Sequence, residues 1–174
     1  MPPRQSALRP QDVAVALELA LRPRQGYEPL ADAVGLSLSQ VHAAVKRLIL
    51  ARLVAPDERR VAVSTFVDFL VAGVPYAFPA GLGPETRGVP TAHSAQPLAA
   101  DFSSQGAVVW PSARGTARGQ SLTPLYPQAI RLPASNPPLY ELLTLVDALR
   151  VGRARERQPA KELLRKRIQP GSTE

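Results

Sequence analysis

Residues 27–60 read YEPLADAVGLSLSQVHAAVKRLILARLVAPDERR, and the order of signals in this run decides the fold. Leu30, Ala31 and Val34 fall on one side of a short helix predicted over 29–34. Pro29 suits its first turn, where a missing N–H costs nothing. Gly35 follows, a residue that admits positive φ at a sharp turn, and Leu36 plugs the corner. Ser37 and Gln40 then stand at capping-box spacing: each side chain can reach the other's backbone N–H. A helix over 38–50 buries Val41, Ala44, Val45 and Leu48. Its 3.6-residue period turns Ser39, Gln40, His42, Ala43, Lys46 and Arg47 onto or beside the opposite face. Leu53-Val54 and Val61-Ala62-Val63 bracket the polar tip 55–60, as two short strands of a hairpin would. Ahead of the run, a helix over Pro10–Leu21 carries Val13, Leu17, Ala20 and Leu21 as one apolar stripe, and Pro23 ends it.

Two helices around a glycine turn, then a hairpin with basic residues at its tip, make the order of parts a duplex reader uses. The segment resembles the winged helix-turn-helix domains of bacterial transcriptional regulators, MarR-like ones especially. The matching residues are Leu30-Ala31, Val34-Gly35-Leu36, Ser37 to Gln40, Val41, and Lys46-Arg47-Leu48 leading to Leu53-Val54. The resemblance covers about a third of the chain and implies a third helix in the major groove, with dimers presenting two such helices about 34 Å apart. By position it puts Ser37, Ser39, Gln40, His42, Ala43 and Lys46 toward DNA. Lys46, Arg47, Arg59 and Arg60 are expected on phosphates, and Ser39, Gln40 and His42 on base edges. The chain departs from the pattern at Arg52, where family members often have glycine.

Composition agrees with a polyanionic partner. The chain has 174 residues and a net charge of +7, which favours nucleic acid first and an anionic membrane second. The positive charge is concentrated at the ends: +3 over 1–64, +1 over 65–138 and +3 over 139–174. At 45% hydrophobic and 5% aromatic, the core must be mostly Leu, Val and Ala. Cysteine is absent, which excludes disulfides and thiolate metal sites. The only histidines are His42 and His93, so no metal is expected. No apolar run approaches the length of a membrane span, and residues 1–6 lack an apolar signal core. A cytoplasmic location is expected. There is no G-x-S-x-G, H-E-x-x-H or phosphate-loop motif, so neither an enzyme nor a cofactor is expected.

The rest of the chain divides into 74–138 and 139–168, behind a winged unit over 1–73. Ser64 can cap a short helix carrying Phe66, Phe69 and Leu70 and ending at Gly73. Eleven of the 19 prolines lie from Pro75 to Pro138, which disfavours long helices there. Short strands are expected instead: Val74, Tyr76 and Phe78 alternate, and 107–110 reads as a buried strand. Residues 81–106 and 112–124, with Arg87-Gly88 and Arg114 to Gly119, are expected as mobile or solvated loops. Asn136-Pro137 starts a last helix, with an N-cap followed by proline at N1. Leu139, Leu142, Leu143, Val146 and Leu149 form its apolar stripe. A basic half follows, kinked near Pro159, which suits DNA backbone, an acidic protein partner or plain solvent.

The fold expected is mainly α with a small β part: an N-terminal winged helix-turn-helix, a loop-rich extension and a long C-terminal helix. The function expected is DNA-binding transcriptional regulation by a homodimer. The alternative is a protein-interaction adaptor, such as an antitoxin-like partner of an enzyme.

Overall fold

The computed structural model describes residues 6–169, which form a mainly helical α+β fold with one small three-stranded sheet. Its centre is α1 (Pro10–Leu21). The Val13, Leu17, Ala20 and Leu21 stripe does not describe its packing: every residue from 12 to 19 is buried. A helix apolar nearly all round must be enclosed on all sides. Here α2 (Tyr27–Val34), α3 (Leu38–Leu50), α7 (Pro137–Val151) and α8 (Ala154–Ile168) all pack on α1. One hydrophobic cluster therefore runs through all three segments of the chain.

The α2–α3 corner follows the local signals. Gly35 has φ 72°, and its N–H donates to the Ala31 carbonyl at 2.9 Å. The capping box closes in both directions, with the Gln40 N–H donating to Ser37 Oγ (3.2 Å) and the Ser37 N–H to Gln40 Oε1 (2.9 Å). At the far end of α3, Arg52 takes φ 61°, and the Leu53 N–H closes back onto the Leu48 carbonyl at 3.0 Å. This is the left-handed helix exit that glycine normally fills. The geometry that the missing glycine left in question is kept, with an arginine bearing the strain. Arg52→Gly should stabilise the protein by about 0.5–1 kcal/mol, relief of the left-handed strain outweighing the added chain entropy. A melting temperature at or below that of the parent would refute this.

The hairpin over 53–62 is short. Val54 and Val61 form its one antiparallel bridge, flanked by Ala55 N–H to the Arg60 carbonyl (2.7 Å) and Ala62 N–H to the Leu53 carbonyl (2.9 Å). Both tip residues, Glu58 (φ 55°) and Arg59 (φ 52°), are left-handed, the pattern of a tight primed turn.

Helix α4 (Val63–Asp68) runs through a wide turn at Phe69–Gly73 into α5 (Val74–Ala77). The alternation of Val74, Tyr76 and Phe78 is therefore not a strand. Val74 is buried and Tyr76 exposed because they sit on different sides of a helical turn. Strands β1 (Glu85–Pro90), β2 (Val108–Pro111) and β3 (Ala117–Ser121) form a closed ring, β1 antiparallel to both others and β2 parallel to β3. The strand expected over 107–110 is found one residue on, at Val108–Pro111, whereas Arg87-Gly88 and Arg118-Gly119, expected in loops, are strand residues. The ring is tight: a Cβ on Gly88 would overlap the Trp110 carbonyl.

After α6 (Leu132–Ser135), Asn136 caps α7, accepting from the Leu139 N–H (3.4 Å). The expected α7 stripe is buried in full, at about 1.5–3 kcal/mol per fully buried leucine. The single helix expected to kink near Pro159 is two helices. The break falls at Gly152-Arg153, and Pro159 lies inside α8. Glu156 holds the new start by accepting from the Arg153 N–H (2.8 Å), and α8 folds back along α7 until Arg167 meets Glu141.

Buried polar groups tie the layers together. Asp147 on α7 accepts from Thr91 Oγ1 (2.7 Å), Trp110 Nε1 (2.7 Å) and Arg150 Nη1 (2.8 Å). Burial pushes its carboxyl up, against the pull of Arg150, Thr91 and Trp110. Glu18 on α1 accepts from Asn136 Nδ2 (2.9 Å) and pairs with Arg22. Asn136 Nδ2 also reaches the Ala33 carbonyl (3.1 Å), and the Tyr126 hydroxyl donates to the Val34 carbonyl (2.8 Å). The last carbonyls of α2, which have no partner within the helix, are thus satisfied from residues 126–136. Burial, then the nearby Glu18, pushes the Tyr126 phenol well up.

Candidate nucleic-acid interface

The outward side of α3 carries Ser39, Gln40 and Lys46, all exposed, with Ala43 half-buried between them and Ser37 exposed at the cap. These five of the expected residues share one surface. Gln40 is less versatile there than its side chain allows in isolation. Its Oε1 is engaged by the Ser37 N–H, which leaves the amide nitrogen to donate. The free amide nitrogen can donate to a phosphate oxygen or to O6 or N7 of guanine, while Oε1 keeps one lone pair beyond the one the cap uses.

His42 is exposed but not loose. Its ring stacks on Tyr27 at the start of α2, with centroids 3.8 Å apart and planes 22° from parallel. The Arg59 guanidinium lies 4.3 Å from the centre of the same Tyr27 ring. Both cannot occupy one face, so Tyr27 is sandwiched between α3 and the hairpin tip. Arg59 Nη2 also donates to the Gln25 carbonyl at 2.8 Å. Tip and helix are thereby held at a fixed offset. The tyrosine that sets it carries no apolar periodicity or charge signal in the sequence.

Two of the four cations expected on phosphates are occupied otherwise. Arg47 is not on the outward face: it is buried and makes a bidentate pair with Asp12 of α1, Nε to Oδ2 and Nη2 to Oδ1, both 2.8 Å. The hydrogen bonds to Asp12 raise its already high pKa against the burial penalty. Position 47 lies at the edge of the buried stripe, and the only acidic group it could meet is 35 residues away. No local pattern reveals that. Arg59 is half-buried in the contacts above, and Glu58 beside it pairs with Arg24 at 3.1 Å. Lys46 and Arg60 remain exposed, with no carboxylate partner among the described residues.

Compared with protein-family models, curated proteins and solved structures, the chain matches none.

Its chemistry is therefore read from its own side chains. Among the described residues no cluster of His, Asp and Glu could hold a metal ion, and no helix is long and apolar enough to cross a membrane. His42 and His93 lie on different elements, His93 Nε2 being 2.8 Å from the Gly106 carbonyl. What the α3 surface offers is hydroxyls, an amide donor, an imidazole edge and the Lys46 cation on a helix, a set suited to hydrogen-bonding bases and phosphates.

Proposed function

We propose that this chain is a DNA-binding transcriptional regulator of the winged helix-turn-helix type. Helix α3 enters the major groove and the tip 55–60 lies along the backbone, two copies reading one site. The observation that carries this reading is the α3 surface: polar donors and Lys46 on the open side of a helix set across a three-residue corner from α2. The net charge of +7 supports it. Lys46 and Arg60 make the phosphate contacts, and Ser39 and His42 face base edges. Gln40 donates to a base or phosphate acceptor, while Arg47 positions α3 from inside.

With two phosphate-directed cations per protomer, the salt dependence is modest, a slope of about −2 per protomer in log K against log salt. Lys46→Ala should weaken binding to specific and random duplex alike and flatten that slope by about one unit. Fluorescence anisotropy with a fragment of the chain's own promoter and with random duplex, at two salt concentrations, tests both statements. Equal, weak binding to both duplexes by the parent protein would end the proposal.

The second reading is a protein-interaction adaptor. Leu38 and Leu50, 42% and 66% exposed near the two ends of α3, favour it, since apolar side chains flanking a polar helix face suit a protein surface. It is distinguished by stable co-purification of a second chain together with absence of promoter-selective binding.

A further inference from the structure

A cleft of about 810 Å³ opens between the β2–β3 turn and the segment 130–140. Its volume falls within the range typical of small-molecule sites. Val89, Ile130, Pro133 and Tyr140 supply apolar wall. The Tyr140 hydroxyl is already used on the Pro90 carbonyl, so the ring serves as surface. Burial, then Glu141, pushes this phenol up to about 12, so it stays neutral. Arg114 and Arg131 come to the same cleft from separate elements. Both are exposed, and neither guanidinium has a carboxylate partner among the described residues. No aspartate or glutamate lines the cleft.

An apolar wall carrying two cations and no carboxylate selects by charge as well as by shape. Water or a neutral apolar molecule would leave both guanidiniums without an anion. A carboxylate or sulfonate can accept paired hydrogen bonds from an arginine fork, while an attached ring system covers the wall. We propose that this cleft binds a small organic anion with a flat apolar body, of the size of a naphthalene acid. The site is separate from the α3 surface and does not depend on duplex binding.

The test uses the full chain and the fluorescent probe 8-anilinonaphthalene-1-sulfonate. One saturable site is expected, displaced by 2-naphthoate at least tenfold more effectively than by neutral 2-naphthalenemethanol. Replacing both cations, Arg114→Gln with Arg131→Gln, should weaken the probe at least tenfold. Ala134→Trp, at an exposed position on the rim, should block it by filling the cleft. Arg118→Gln, outside the cleft, should leave affinity unchanged. The paired exposed arginines can be neutralised without disturbing the core, and a melting curve for each variant verifies that. No saturable binding, equal displacement by the neutral compound, or unchanged affinity in the double arginine variant would overturn the proposal.

Discussion

Arg47→Met is expected to destabilise the protein by about 3–5 kcal/mol, measured by urea unfolding, because it strands the Asp12 carboxylate in the core. Asp12 is 1% exposed and accepts three hydrogen bonds, two from Arg47 and one at 2.9 Å from the Arg9 N–H. Removing only the cation leaves a buried charge with a single backbone donor. Asp12→Leu combined with Arg47→Met removes both charges and should recover most of the loss, since a buried pair replaced by apolar groups of similar volume is often neutral. The double variant also separates two roles for one side chain. If Arg47 acts by holding α3 against α1, the double variant keeps its duplex affinity at fixed salt. If the guanidinium touched phosphate, affinity would fall although stability had returned. An unfolding midpoint for Arg47→Met equal to the parent's would show that the pair contributes nothing.

Asp147→Leu should cost a similar amount, about 3–5 kcal/mol, and has its own optical signature. The carboxylate gathers donors from the segment after β1, from β2 and from α7. Its loss leaves the Thr91 hydroxyl, the Trp110 indole N–H and the Arg150 guanidinium facing an apolar side chain. Arg150 keeps only its bond to the Phe78 carbonyl (3.0 Å) and a longer one to the Thr123 carbonyl (3.5 Å). Trp110 is the only tryptophan and is 1% exposed, so undocking of the sheet from α7 should shift its emission to the red. Thr91→Val removes one neutral donor and should cost about 1 kcal/mol. A folded Asp147→Leu variant with unshifted emission and parental stability would contradict the assignment.

Where neighbours in sequence are also neighbours in space, the chain was readable. The bounds of α1 and α3, the Ser37–Gln40 box, the Gly35 turn and the Asn136 cap all depend on contacts within four residues. They stand as the sequence predicts. The helix expected to start at a Ser64 cap and end at Gly73 differs: Ala62 is its N-cap, Ser64 lies inside it, and helical backbone continues past Gly73 to Ala77. The unread parts depend on distance. Arg47 has a helical position compatible with either face, and only Asp12 decides which. The strands of the ring carry Arg-Gly pairs, because close backbone approach there selects against side chains; by composition such a strand looks like a loop. The break between α7 and α8 was masked by Pro159, the stronger sequence signal, although Gly152 and the Glu156 cap end one helix and begin the next. Of the expected interface residues, Ser37, Ser39, Gln40, Ala43 and Lys46 could be grouped from helical periodicity alone. The Tyr27 sandwich, which joins tip to helix, could not.

The clamp on the end of α2 limits how this chain can be recombined. Tyr126 and Asn136, far along the sequence, satisfy the Val34 and Ala33 carbonyls, and Asn136 also shields Glu18. A segment ending at residue 73 would lose those partners and bare the side of α1 that α7 covers. The first 73 residues are accordingly no transferable cassette. Grafted onto another protein they would bring the corner without the hand that closes it, and residues 126–149 would have to travel with them.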